Sequence, residues 1–134
     1  MKRVGIDTNV LLRLLVDDDP DQRTIVTNFG SKLNQKYRGV VTLVSLVEMD
    51  WALRSQYGYE RRESMSAIRK VTQIRGVEIE CHDVVVRALL IVETDNADFA
   101  DALISGRAAD LGCEWTATLD RKAAKKIPSM ELLN

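Results

Sequence analysis

Short apolar runs alternate with longer stretches of helical spacing along this chain. The first run, at about 3–6, stops at Asp7, Thr8 and Asn9, which is typical of a buried strand that enters a turn. Similar runs predict further strands at 39–44, 77–80 and 114–120. The apolar runs therefore predict four short strands spread over the chain.

Helices are predicted between these strands. Their approximate bounds are 9–16, 21–37, 46–57, 60–74, 84–92 and 98–112. The first is apolar almost all round, so we expect it to be largely buried, and the stretch "DDDPD" should end it. In the second, Ile25, Phe29 and Leu33 recur every four residues and predict its buried face. Segment 84–92 has β-branched residues that suit a strand, but its length and Asp83 as a cap favour a helix.

The alternation of strand and helix indicates the fold class. It predicts an α/β protein with a mostly parallel sheet and helices on both faces. A chain of 134 residues without a linker or a repeat predicts one domain over 1–134.

Composition narrows the class of protein. Hydrophobic residues make up 46% of the chain and charged residues 29%, and the net charge of −1 excludes a generally basic protein but not a local basic patch. No apolar stretch nears the ~20 residues of a membrane span and no signal-peptide pattern opens the chain, so we expect a cytoplasmic protein. Cys81 and Cys113 do not make a disulfide framework, and we expect buried, reduced thiols.

Carboxylates occupy the positions where open parallel sheets place their sites, beyond the carboxyl ends of the strands. Asp7 follows the first strand and Asp120 ends the last, while Glu48 lies early in the helix after the second strand. Asp98 and Asp101 open the helix before the last strand, and their spacing of three puts them on one face. In a parallel sheet these positions can converge at one edge.

Each acid also has a local structural interpretation. Asp7 and Asp98 are plausible helix caps, and Asp101 suits the positive end of a helix. Ser45 to Glu48 matches a capping box, and Asp120 with the following arginine suits a turn. The residues alone leave both interpretations open.

Convergence would favour a metal site over capping. Carboxylates about 5 Å apart repel by roughly 3 kcal/mol per pair at an effective dielectric near 20, and Mg²⁺ or Mn²⁺ relieves that repulsion through oxygen ligands. His82 and the two cysteines cannot supply a zinc set, and we interpret His82 as a loop or cap residue.

Four motifs carry a family resemblance. They are "GIDTNVLL", "SLVEMDWAL", "DFADALISGRAADLGC" and "TATLDRKAAK", in that order. Each is weak alone, but together they cover nearly the whole chain and resemble PIN domains, most closely the VapC-like toxins of bacterial toxin–antitoxin pairs.

The resemblance implies a fold, an activity and a set of site residues. It implies a three-layer α/β/α sandwich and a ribonuclease dependent on Mg²⁺ or Mn²⁺. The four acidic positions of the family fall on Asp7, Glu48, Asp101 and Asp120. Asp98 matches a further acid common in the subgroup, Asn9 and Thr118 match polar positions beside the first and last acids, and Gly106 stands where the subgroup often has alanine. The resemblance also implies a small antitoxin partner and a homodimer.

An RNA substrate requires cations near the acids. Arg121, Lys122, Lys125 and Lys126 follow Asp120 directly, and Arg13 lies on the helix after Asp7. We expect these five to contact phosphates, which position RNA but do not read its sequence. We expect Thr8 or Asn9 to orient Asp7.

Other functions fit the sequence less well. A non-catalytic PIN-fold module that binds RNA or protein is the main alternative, and the intact acidic set disfavours it. An aspartyl phosphotransferase would use a strand-end Asp as nucleophile, but "DTN" lacks the second Asp of such haloacid-dehalogenase-like enzymes. No GxGxxG follows the first strand, which disfavours dinucleotide binding.

Overall fold

The computed structural model describes residues 1–16 and 19–134, which form two compact units, Met1–Glu80 and Cys81–Asn134. Asp17 and Asp18, within the predicted helix break, lie outside the described residues. The α/β class is confirmed, because every strand pair in the described residues is parallel and helices accompany the strands. None of the described helices combines the length and apolar character needed to cross a membrane.

The first unit contains a three-stranded sheet and four helices. The elements in order are β1 (Lys2–Gly5), α1 (Thr8–Leu15), α2 (Pro20–Ser31), β2 (Tyr37–Val41), α3 (Leu43–Ser55), α4 (Arg61–Thr72) and β3 (Val77–Ile79). The sheet order is β1-β2-β3, with Val4 beside Gly39 and Gly39 beside Val77. A Cβ at Gly39 would lie too close to the Cδ1 atom of Ile6, so a larger residue there would force the Ile6 side chain to move.

The core of the first unit draws on three helices. The large apolar side chains that these helices bury fully are Leu11 of α1, Leu46, Met49 and Leu53 of α3, and Met65, Ile68 and Val71 of α4, and Val41 of β2 is fully buried with them. The spacing of three and four on α3 and α4 puts each set on one helix face. Burial of these faces fixes the rotation of both helices, and therefore which residues of α3 and α4 face solvent.

The second unit contains three helices and a parallel strand pair. The elements are α5 (His82–Asp95), α6 (Phe99–Asp110), β4 (Thr116–Thr118), α7 (Arg121–Lys126) and β5 (Met130–Leu132). Thr116 pairs with Met130 and Thr118 with Leu132. The helical interpretation of 84–92 is therefore correct, although the cap is Cys81 rather than Asp83. The sequence did not predict α7 or β5.

The first two helices differ in how well their predicted burial holds. α1 is largely buried as expected, with Thr8, Leu11 and Leu12 buried and Asn9 as its one exposed residue. α2 ends at Ser31, and its buried residue is Val26 while Ile25 is 70% exposed. Leu33 is buried, but it forms an isolated bridge to Tyr37 after the helix has ended. The four-residue spacing of apolar side chains therefore extends beyond the last residue of α2 and does not mark where the helix ends.

The start of α3 is three residues earlier than predicted. The side chain of Thr42 accepts a hydrogen bond from the Ser45 amide at 3.3 Å and caps the helix, so β2 stops at Val41 and not at 44. The β-branched residues at 39–44 favoured a strand up to residue 44, and the hydroxyl of Thr42 was the only local signal that the helix begins earlier.

The predicted burial of both thiols is also wrong. Cys81 is half-buried and Cys113 is exposed, and both are free. Cys113 follows Gly112, which has a φ of +97° in the turn after α6, so the chain carries it to the surface.

Candidate functional site

Asp7 lies where the first strand becomes a helix. The Ile6 amide still donates to the Val40 carbonyl at 2.9 Å, so the backbone is held by the sheet up to the residue before Asp7. Asp7 is the N-cap of α1, and its Oδ1 accepts the Thr8 amide at 2.8 Å. Its second oxygen has no hydrogen-bond partner in the described part of the chain. One oxygen thus fixes the side chain while the other remains available to a ligand.

Glu48 is held by the neighbouring α1 and has no capping role. Because Thr42 caps α3, Glu48 lies in the second turn, and the capping box from Ser45 is wrong. The Glu48 Oε1 instead accepts the hydroxyl of Thr8 at 3.0 Å. Thr8 is 8% exposed, so its rotamer is fixed by packing. The sequence-predicted residues Asp7, Thr8 and Glu48 therefore come together within the first unit.

The second unit brings three more acids together. Asp98 is the N-cap of α6, and its Oδ2 accepts the Asp101 amide at 3.1 Å. Asp120 caps α7, with its Oδ1 accepting the Ala123 amide at 3.0 Å. The hydroxyl of Thr118 accepts the Asp120 amide at 3.0 Å and fixes the backbone that carries the carboxylate. The predicted cap at Asp98 is confirmed, whereas Asp120, which we interpreted as a turn residue, also caps a helix; capping positions both side chains.

Asp101 shows that these three carboxylates interact. Burial raises its pKa above the ordinary value, and the negative charges of Asp98 and Asp120 raise it further. Proximity of like charges disfavours the ionised form, so the fold holds this carboxylate at an electrostatic cost. A divalent cation bound by oxygen ligands would relieve that cost. The donor chemistry of this group therefore fits Mg²⁺ or Mn²⁺.

Other residue types contribute little to a metal site. His82 is the first residue of α5 and half-exposed, and its nearest acid is the adjacent Asp83 at 3.9 Å. Within residues 1–16 and 19–134, no group of three or more His, Cys, Asp or Glu side chains is arranged to hold a metal ion. Joint action of all four family acids therefore stays a prediction.

The predicted RNA-contacting cations differ in their surroundings. Arg121, Lys122 and Lys125 are exposed on α7, whereas Lys126 donates to the Asn96 carbonyl at 3.2 Å. Arg13 donates to the Tyr57 hydroxyl at 2.9 Å and to the Gln22 side chain at 2.5 Å. Arg13 therefore braces α1 against its neighbours. Asn9 is exposed in the first turn of α1.

One buried acid was missed by the sequence analysis. Asp50 is 3% exposed on α3 and accepts both Nε and Nη2 of Arg54, at 3.0 and 2.9 Å. The Ser64 hydroxyl of α4 donates to the same carboxylate at 2.6 Å. The spacing of four between Asp50 and Arg54 is the signal that could have predicted the pair. With its charge matched in this way, Asp50 ties α3 to α4.

Comparison with known proteins identifies the family of the chain. The PIN domain family model matches residues 4–128, a range that includes all the acids of both units that are described above. No curated protein matches the chain. The chain therefore belongs to the PIN domain family, most of whose members are Mg²⁺-dependent nucleases.

Proposed function

We propose that this protein is a metal-dependent endoribonuclease that hydrolyses phosphodiester bonds of RNA. The observation that carries the proposal is the grouping of Asp98, Asp101 and Asp120, where the Asp98 side chain accepts the Asp101 amide; burial raises the pKa of Asp101, and the negative charges of the other two acids raise it further. Capping explains Asp98 and Asp120 but gives no reason to place a third carboxylate beside them. A cation site does give that reason.

The acids of both units serve the reaction in this proposal. Asp7, Glu48, Asp101 and Asp120 are the residues that would hold Mg²⁺ or Mn²⁺, and Asp98 would add charge to the second set. When bound, the cation would supply a water of lowered pKa and charge stabilisation at the scissile phosphate. Thr8 orients Glu48 through its hydroxyl, and Thr118 orients Asp120 through the backbone amide. Asn9, beside Asp7, is the remaining polar neighbour.

The substrate approaches an acidic site, so cations must hold its phosphates nearby. Arg121, Lys122 and Lys125 on the exposed face of α7 directly follow Asp120 and suit this role, with Lys126 at the end of the helix. Such contacts set the position of RNA without reading its bases. Arg13 supports the site by bracing α1, in addition to its charge.

We further propose that the protein is the toxin of a toxin–antitoxin pair. The order of the four VapC-like motifs supports this role. A toxin of this kind has a small antitoxin partner and forms a homodimer. Val44 and Trp51 are exposed and lie seven residues apart on α3, so they share a helix face that suits contact with a protein partner.

Cleavage of structured RNA in Mg²⁺, in Mn²⁺ and in excess EDTA tests the activity. We expect cleavage with either metal, none in EDTA, and a loss of most activity in Asp7→Asn. Equal cleavage in EDTA would contradict the mechanism. Metal-independent binding without any cleavage would favour the non-catalytic module instead.

A further inference from the structure

A groove in the first unit lies along α4. It has a volume of about 470 Å³, and Tyr59, Arg62, Ser66 and Lys70 supply its polar lining together with Glu63. Leu15 and Ala67 contribute apolar surface. The predicted site residues do not line it, so it is a separate surface of the molecule.

The polar side chains form a regular stripe. Arg62, Ser66 and Lys70 are spaced by four residues and are exposed, so they follow one another along a single face of α4. A rise of 1.5 Å per residue puts the Cα atoms of Arg62 and Lys70 about 12 Å apart. Two cations with a hydroxyl between them suit an extended anion better than a single small one.

The two cations of the stripe are unpaired within the described residues. Arg62 and Lys70 have no hydrogen bond or ion pair there, whereas Arg54 is matched by the buried Asp50. The groove's acid, Glu63, accepts the Glu60 amide through Oε1 as part of the capping box of α4. The carboxylate is thus engaged at the helix start, and the positive charge of the stripe is available to a ligand.

The charge is local to this segment. Residues 59–75 contain five basic and two acidic residues, while the whole chain has a net charge of −1. A positive patch on a slightly acidic protein attracts a polyanion to that patch, as we propose for α7 as well.

Tyr59 distinguishes a nucleic acid from other polyanions. Its side chain lines the groove, and no described residue accepts or donates a hydrogen bond at its hydroxyl. Proteins bind single-stranded nucleic acid with cations that follow the phosphate backbone and with aromatic rings that stack on the bases.

We propose that the α4 groove binds single-stranded RNA, with Arg62 and Lys70 on phosphates, Ser66 as a hydrogen-bonding partner and Tyr59 under a base. This site rests on the proposed ribonuclease function, because it gives the substrate a second contact besides α7. It holds a part of the strand away from the bond that is cut.

Binding of a fluorescein-labelled oligouridylate of about 16 nucleotides, followed by anisotropy in EDTA, tests the groove without cleavage. We expect Arg62→Gln/Lys70→Gln to weaken binding roughly tenfold and to reduce the slope of log K against log salt by about 1.4, which is ~0.7 for each phosphate contact. Tyr59→Leu should weaken binding roughly five- to tenfold, and Tyr59→Phe should retain it.

Lys32→Gln/Lys36→Gln is the matched control, because it removes the same charge from exposed positions outside the groove. An equal effect of the two double variants, or no RNA binding by the wild-type protein, would overturn the proposal. Binding of an acidic peptide that depends on Arg62 and Lys70, with unchanged RNA affinity, would overturn it in favour of a protein partner. Absence of cleavage with the expected binding pattern would contradict the nuclease proposal and leave the groove in place.

Discussion

Asp50 on α3 and Asp101 on α6 are helix carboxylates in opposite electrostatic environments. Asp50 is nearly fully buried, yet Arg54 and Ser64 match its charge and its hydrogen-bonding capacity. Asp101 is only partly buried; burial raises its pKa, and the neighbouring carboxylates of Asp98 and Asp120 raise it further. The two acids therefore differ in the sign of the charge around them. Asp50 is matched by a cation of the fold, whereas Asp101 has further acids as neighbours.

Substitution of Asp101 should give the largest effect on activity. We expect Asp101→Asn to lower RNA cleavage by more than about a hundredfold, since loss even of a residue that only supports a metal ligand costs about 10–100-fold. Single-turnover cleavage in Mn²⁺ measures this. Asp50→Asn is the matched control and should keep the cleavage rate per folded molecule; a similar loss there would remove the contrast between the two acids.

The substitutions of Asp50 and Asp101 should rank in the reverse order in their cost to stability, with Asp50→Asn the more destabilising. Asp50→Asn leaves Arg54 and Ser64 without their anionic acceptor, and we expect a loss of about 1–3 kcal/mol in the free energy of unfolding. Urea unfolding in EDTA measures it, with Ser64→Ala as a milder variant of the same cluster. No change in unfolding for Asp50→Asn would mean that the ion pair does not stabilise the fold.

The effect of Asp101→Asn on stability should depend on pH. A raised folded-state pKa means that the carboxyl group favours folding only below its ordinary value of 3.8, and that this advantage is lost as pH rises through the folded-state pKa. In EDTA at pH 7, Asp101→Asn should therefore be more stable than the wild-type protein. The difference should shrink toward zero below about pH 4. Thermal unfolding across this range checks the sign, and a variant that is less stable at pH 7 would contradict the repulsion.

Two variants, Glu48→Gln and Thr42→Ala, distinguish a metal-ligand role of Glu48 from the capping of α3. Glu48→Gln should reduce cleavage and the stabilisation by added Mg²⁺, because a ligand that binds only the folded state stabilises it by mass action. Thr42→Ala should cost about 1 kcal/mol of stability while it keeps the Mg²⁺ response. Full activity and an unchanged Mg²⁺ response in Glu48→Gln would exclude Glu48 from the site.

Thr8 should have the smallest effect of these positions. Thr8→Val removes the hydroxyl that Glu48 accepts, and we expect a decrease in kcat of about tenfold with KM unchanged. Thr8→Ser keeps the hydroxyl and should restore most of the rate. If Ser and Val behave alike, the threonine acts through packing alone.

Local sequence signals predicted two of the three capping acids. Asp7 and Asp98 were interpreted as helix caps and the structure shows both as N-caps, whereas Asp120 was interpreted as a turn residue and caps α7, a helix that the sequence did not predict. Such a cap requires only a residue and the next turn, so both lie within one short stretch of sequence. Strands β1 to β4 were predicted for a similar reason, since each apolar run is short and ends at a polar turn, whereas β5 was missed.

Contacts between distant segments could not be predicted in this way. The Thr8–Glu48 hydrogen bond joins residues forty positions apart, and a competing capping box at Ser45 gave Glu48 a local explanation that the structure overturns. The α4 stripe was missed because its cations are separated by apolar core positions, while the run after Asp120 is continuous. Periodicity also misplaced the end of α2, where tertiary pairing of Leu33 with Tyr37 replaces the helix.

The central proposal is that the acids of both units serve one metal-dependent reaction. Single-turnover RNA cleavage in Mn²⁺ by Glu48→Gln, Asp101→Asn and the double variant tests it most directly, because residues that act as a unit are not additive. We expect each single variant to lose most of the rate and the double variant to be little worse than the poorer single one. Losses that multiply in the double variant, or wild-type cleavage by either single variant, would contradict a shared function for the two sets of acids.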